Sequence, residues 1–183
     1  MAKDYSSDKI YKLCDYPPYR RFGEDNPDRN KDTYRIMDLK NPSSNNHQSA
    51  IKHFGTNFSA GLKKLVVNIK TDKIQVAIVP SSKKGKRSSG LEAILKMVEE
   101  VAIIYDPLFL VRDEDVPASH EGGNRSIEKH INSISVKKIP DPNIPMLILD
   151  DVTTTGNSLE ACEKILKKKG VTLIYKVAIG KTV

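Results

Sequence analysis

MLILDDVTTTGNSLEAC, residues 146–162, is the stretch that decides how this chain is read. An aliphatic run, Met146 to Leu149, leads into two adjacent acids, Asp150 and Asp151. Three threonines and a glycine follow, then a helical pattern. The aliphatic run bounded by polar residues reads as a buried strand. Leu159, Cys162, Ile165 and Leu166 fall on one helical face, and Gly170 supplies a stop, so the spacing predicts a helix over Asn157–Lys169. Neighbouring carboxylates repel and are costly to bury, so something positive or hydroxyl-rich must compensate Asp150 and Asp151.

Thr153, Thr154, Thr155, Gly156, Asn157 and Ser158 form a turn of small residues entering that helix. Backbone N–H groups at a helix N-terminus, with threonine and serine hydroxyls, make an anion cradle. Carboxylates beside such a cradle suit a sugar phosphate. The loop takes the phosphate, and the acids take sugar hydroxyls directly or through Mg²⁺.

Outward from this stretch the chain alternates strand and helix patterns. Ile74–Pro80 (IQVAIVP), Leu108–Arg112 (LFLVR), Pro145–Asp151 and the terminal VTLIYKVAIG read as strands. Phe58, Leu62, Leu65, Val66 and Ile69 mark one helical face, with Asn57 or Ser59 as cap. Leu91, Ile94, Leu95, Val98 and Val101 mark a second, capped by Ser88 or Ser89. SISVKKI alternates like a hairpin strand. This order predicts an α/β fold, a mostly parallel central sheet flanked by helices. Ligands of such sheets bind beyond the carboxyl ends of the strands. The loop PSSKKGK, the long polar segment Asp113–Asn132 and the loop DDVTTTGNS all belong there.

Residues 1–50 differ, being rich in Pro, Asn, Asp and Arg; they read as an irregular arm or hood, with only Thr33–Leu39 strand-like. Tyr5, Tyr11, Tyr16 and Tyr19 argue that part of it packs on something. The domain expectation is therefore 1–50 as the arm and 51–183 as the α/β unit.

The chain has 183 residues, a net charge of +7 and two cysteines, Cys14 and Cys162. That length suits one domain with a core of ordinary stability. The basic balance fits an anionic partner (a phosphorylated small molecule, nucleic acid or acidic protein) or a lysine-rich solvated surface. The cysteines form no metal-binding pattern and fit a reduced cytoplasmic setting. No apolar run approaches a membrane span and the start lacks a signal-peptide core, so no membrane partner is expected.

LILDDVTTTGNSL matches without a gap the signature of the type I phosphoribosyltransferases, which bind 5-phosphoribosyl 1-diphosphate (PRPP). The chain resembles that family here. The resemblance implies that Asp150 and Asp151 contact the ribose hydroxyls, with Mg²⁺ through ribose or water, while Thr153–Ser158 cradle the 5-phosphate. It implies a pyrophosphate loop at Ser81, Ser82, Lys83, Lys84 and Gly85. A Walker A loop does not fit, because Pro80 and Arg87 stand where its glycine and Ser/Thr belong. It also implies a flexible catalytic loop over 113–132, with hinge freedom at Gly122 and Gly123. Arg125 and Lys129 would reach departing pyrophosphate there, and His120 and His130 are proton-transfer candidates. Thr154 stands where several purine-salvage members carry a base-assisting Asp, which argues against simple purine salvage.

The motif order over residues 51–183 is similar to the competence-protein F family, where an arginine and an asparagine like Arg125 and Asn132 precede the acid motif. That family's N-terminal zinc ribbon has no counterpart in this chain. The expected activity is phosphoribosyl transfer to an acceptor left open, or PRPP or nucleotide sensing coupled to nucleic acid. A protein or nucleic-acid partner on the basic surface and a homodimer are left open as well.

Overall fold

Apolar runs of period two become one sheet, and runs of period 3.6 cover its faces. The structure is a computed structural model that describes residues 5–116 and 126–183. In chain order the elements are β1 (Ile10–Tyr16), β2 (Arg20–Arg21), β3 (Glu24–Asp25), α1 (Lys31–Lys40), α2 (His47–Asn68), β4 (Lys73–Ile78) and α3 (Ser89–Lys96). Then come β5 (Ala102–Tyr105), β6 (Val111–Arg112), α4 (Ile127–Ser133), β7 (Ile134–Ser135), β8 (Met146–Thr153), α5 (Asn157–Lys167) and β9 (Ile174–Thr182).

The main sheet has five strands in the order β1-β9-β8-β4-β5, every pair parallel. The expected α/β class, a parallel sheet flanked by helices, is therefore present. Strands β4 and β8 are neighbours, but β4 is followed outward by β5 and β8 by β9 on the opposite side. The crevice at their carboxyl ends is thus a topological switch point, where such sheets bind ligands.

One core lies between the sheet and α1–α3, built on Ile36, Phe54, Leu62, Ile94, Leu147 and Leu149. The other lies between the sheet and α5, built on Met146, Ile148, Leu159, Cys162 and Leu166. Leu159 and Leu166 are fully buried, and each stabilises the fold by roughly 2 kcal/mol. No helix among the described residues is long and apolar enough to cross a membrane.

Residues 1–50 depart most from expectation, since they are not an irregular arm throughout. Half-buried Ile10–Tyr16 pairs with β9 as an edge strand of the main sheet. Thr33–Leu39, expected as a strand, lies within helix α1. Asn30 accepts from the N–H groups of Asp32 and Thr33 at 2.8 and 3.1 Å, and Thr33 Oγ1 accepts from Asn30 N–H at 3.2 Å. This capping box aligns Thr33, Ile36 and Leu39 on the buried face. Helix α2 starts at His47 and runs unbroken across residue 50, the expected boundary.

One helical run and one strand also differ from expectation. The run continuing through Val98 and Val101 is not one helix: α3 stops at Lys96, and Ala102–Tyr105 forms the other sheet edge. Of Leu108–Arg112, only Val111–Arg112 is extended, in a short antiparallel ladder with Ile134–Ser135. The long polar segment ends sooner than expected, because Ile127–Ser133 is helical, capped by Ser126 accepting from Lys129 N–H at 3.3 Å.

Candidate functional site

The two adjacent acids at the end of β8 are kept apart by the pleat. Successive side chains of a strand face opposite sides. Met146 and Ile148 face α5, and Leu147 and Leu149 face the other core, so Asp150 follows the first pair and Asp151 the second. Asp150 Oδ2 accepts from Ser158 Oγ at 3.0 Å, and its Oδ1 accepts from the N–H of Asp151 at 2.8 Å. Asp151 Oδ1 accepts from Val152 N–H at 2.6 Å, and Lys40 Nζ lies 3.1 Å from Oδ2. The compensation demanded by the sequence is a hydroxyl for one acid and an ammonium for the other.

Asp150 is buried. That burial, and next the charge of Asp151, push its carboxyl up to about 7, against the pull of Ser158 and Lys40. For Lys40, burial favours the neutral amine, but Asp151 outweighs it with smaller help from Asp150 and Tyr16, and the ammonium is held above its ordinary range.

Beyond the acids the chain turns into α5 at Gly156, with φ +89°. A Cβ there would also approach Ile10 Cδ1 to 2.6 Å, so the position admits only glycine without rearrangement. No side chain caps α5 at Gly156. Thr154 and Thr155 are exposed, and Thr154 Oγ1 lies 2.9 Å from Thr182 Oγ1. Thr153 is buried, and its hydroxyl has no hydrogen-bond partner among the described residues. Thr155 Oγ1 accepts from Asn157 N–H at 3.4 Å, so the helix-entry loop brings hydroxyls and first-turn N–H groups together, the donor set an anion would need.

The lysine-bearing loop leaves the neighbouring strand in the same direction. Val79 N–H donates to Leu149 O at 2.9 Å, so Ser81–Gly85 and Asp150–Ser158 depart from adjacent strand ends. Gly85 has φ +72°. Lys84 N–H donates to Asp115 Oδ1 at 2.7 Å, Lys83 Nζ lies 3.4 Å from Asp115 Oδ2, and Val116 N–H donates to Ser82 O at 2.9 Å. The Lys84 N–H, with smaller help from the Lys83 ammonium, holds the Asp115 carboxyl below the usual carboxylate range against the opposing effect of desolvation.

Beneath the loop, buried Arg112 donates from Nε to Ser81 O at 2.9 Å, from Nη2 to Pro80 O at 3.2 Å and from Nη1 to Ser133 Oγ at 2.5 Å. A cavity of about 210 Å³ lies beside this loop, between Pro80–Ser81, Gly85–Ser88, Tyr105–Leu108 and Leu110–Arg112, and neither acid lines it.

Three residues of this geometry went unnoticed in the sequence: Lys40, Arg112 and Asp115. Arg112 carried one signal, a cation closing the apolar run LFLV. Lys40 and Asp115 carried none, since their partners come from distant segments. Arg125, His120, Gly122 and Gly123 lie outside the described residues. Lys129 and Asn132 are exposed on α4, whereas His130 is buried there.

The ammonium on Asp151 stands where an ion ligated by both carboxylates would have to sit, so the pair as arranged does not fit a directly bound Mg²⁺. Among the described residues no three acidic, histidine or cysteine side chains gather as a metal site. Each oxygen of Asp150 and Asp151 is already engaged, one by an ammonium.

No family model matches the chain, and no curated protein matches it in sequence. Among solved structures, a hypoxanthine phosphoribosyltransferase from Staphylococcus aureus aligns with TM-score 0.45 and 16% identity over 73% of this chain and 72% of its own. A second crystal form of that protein gives TM-score 0.42, 15% identity and 73% of each chain. A purine phosphoribosyltransferase from Pyrococcus horikoshii gives TM-score 0.37 and 13% identity over 93% of this chain and 92% of its own. Likeness at this level carries nothing about ligand or reaction, which must be argued from the loops themselves.

Proposed function

We propose that this chain binds PRPP and transfers its 5-phosphoribosyl group to an acceptor, releasing pyrophosphate. The observation that carries this reading is the pairing of two loops at one switch point. On β8 an acid pair leads into a hydroxyl-rich helix entry, and on adjacent β4 a strand leads into a lysine loop. A ligand spanning both would carry a sugar between two anionic groups, which describes PRPP.

In this reading Thr153–Ser158 hold the 5-phosphate, and Asp150 and Asp151 orient the ribose hydroxyls. Ser81, Ser82, Lys83, Lys84 and Gly85 receive the diphosphate. The bond from ribose C1 to the diphosphate oxygen breaks as the acceptor's bond to C1 forms. The departing charge is stabilised by the lysine loop and by Arg125. Mg²⁺ belongs to the ligand rather than to the protein, entering chelated by the diphosphate. The motif order supports a competence-protein F-like subgroup. A cytoplasmic setting is part of the same proposal.

A second reading, PRPP sensing without turnover, is favoured by one feature. Both charged halves are satisfied by the protein's own side chains, Lys40 and Asp115. Incubation with PRPP, Mg²⁺ and a panel of nucleobases and nucleotides, read by pyrophosphate release, separates the two. Release that falls at least about a hundredfold in Asp151→Asn is the expected result. PRPP binding without release for any acceptor would establish the sensor instead.

A further inference from the structure

Asp151 meets a cation carried by a helix rather than a loop. Lys40 is the last residue of α1, and α1 is anchored in three ways. Asn30 caps its start, Ile36 and Leu39 are buried, and Thr33 Oγ1 donates to Pro17 O at 2.7 Å. The helix also lies close on β9: a Cβ at Gly180 would come within 2.5 Å of Ile36 Cδ1. The core therefore fixes where the Lys40 backbone stands, and the contact with Asp151 at 3.1 Å directs its flexible side chain. The side chain as a whole is half-exposed, so the Lys40–Asp151 pair stands at the surface of the site and not inside the core. An ammonium has three donors, and one directed at a carboxylate leaves others for ligand oxygens.

We infer that Lys40 is the built-in cation of the site: it fills the place where a divalent ion would join Asp151 to a sugar hydroxyl, and it presents further N–H donors to the ligand. The ribose half then accepts a cis-diol sugar phosphate without a divalent ion. Metal dependence is confined to ligands that bring their own chelating diphosphate. The ligand half of this inference rests on the ribose-phosphate reading above. The cation half rests only on Lys40 and Asp151.

Two measurements on the full chain separate those halves. In the first, Mn²⁺ alone is the probe, and its free aquo signal is followed by electron paramagnetic resonance. Lys40→Met, which keeps most of the apolar stem, should hold Mn²⁺ about fivefold to tenfold more tightly than wild type. Lys40→Arg should not, and adding Asp151→Asn to Lys40→Met should erase the gain. Equal Mn²⁺ affinity in wild type and Lys40→Met, or a gain that survives Asp151→Asn, overturns the cation role.

In the second, ribose 5-phosphate is titrated calorimetrically with Mg²⁺ or with a chelator. Wild-type affinity should stay within about twofold between the two conditions. Lys40→Met should weaken about tenfold in chelator and recover with Mg²⁺. Wild-type binding that vanishes on chelation overturns metal-independent binding. Ribose 5-phosphate bound by none of the proteins, with the Mn²⁺ pattern as expected, upholds the cation role and overturns the ribose-phosphate reading.

Discussion

The acid half and the lysine half of the site balance their charges by opposite constructions. Asp150 and Asp151 sit on a strand, their directions set by the pleat, and their partners Ser158 and Lys40 are carried by helices. Lys83 and Lys84 sit on a loop, are exposed, and meet Asp115 on another exposed segment. Charges on regular elements are placed by backbone geometry and remain there when the ligand leaves. Charges on loops are placed by the partners they find and can exchange them. On the proposed reading, the first half holds a ligand in one orientation, and the second trades an internal carboxylate for an anion.

This contrast breaks at Arg112 if the lysine loop turns out to be loose at its root. The buried guanidinium binds Pro80 O, Ser81 O and Ser133 Oγ, so only the tip of the loop is exchangeable. Removing it leaves buried acceptors unsatisfied. Arg112→Met should lower unfolding free energy by about 3 kcal/mol in denaturant titration and weaken inorganic pyrophosphate binding. Wild-type stability would mean that the loop root is as mobile as its tip.

Asp150 sharpens the other half through pH. Its carboxyl is raised to about 7 by burial and by Asp151, whereas an unfolded Asp titrates near 4. Below that range Asp150 is protonated in both states and costs nothing. As pH rises the unfolded chain loses this proton first, so stability falls until the folded group has also ionised. Asp150→Asn should match wild type at pH about 3.5 and exceed it by about 2 kcal/mol above pH about 7.5. A difference independent of pH would show that the Asp150 carboxyl titrates alike in the folded and unfolded chain.

Where a residue's environment is local, the sequence was legible. Met146–Leu149 faces two cores, Gly156 takes the positive φ that the turn requires, and α5 starts at Asn157 as its pattern predicted. The positions of the acid pair and both candidate loops followed from this strand–loop–helix order. The edges of the sheet were not legible, because β1 and β5 are only partly buried and their alternation is diluted by polar residues. Helix α1 was missed although NKDT, residues 30–33, carried its capping box. Lys40 and Asp115 were invisible for a different reason: each acquires its role from a partner 111 or about 31 residues away, brought near only by the fold.

The smallest expected effect tests the exchange itself. Asp115 takes the Lys84 N–H and the Lys83 ammonium, both of which a bound diphosphate would need. The pair is exposed, so its contribution is modest, and Asp115→Asn should tighten inorganic pyrophosphate binding only about threefold by calorimetry. The sign with pH follows from the lowered Asp115 carboxyl. Above the carboxylate range Asp115 is charged and competes. As pH falls through its titration it neutralises and releases Lys83, so the mutant-to-wild-type affinity ratio should approach one. Protonation of pyrophosphate itself cancels in that ratio. Weaker binding by Asp115→Asn at every pH would mean that Asp115 shapes the loop for the anion instead of standing in its place, and the lysine half would then be as preorganised as the acid half.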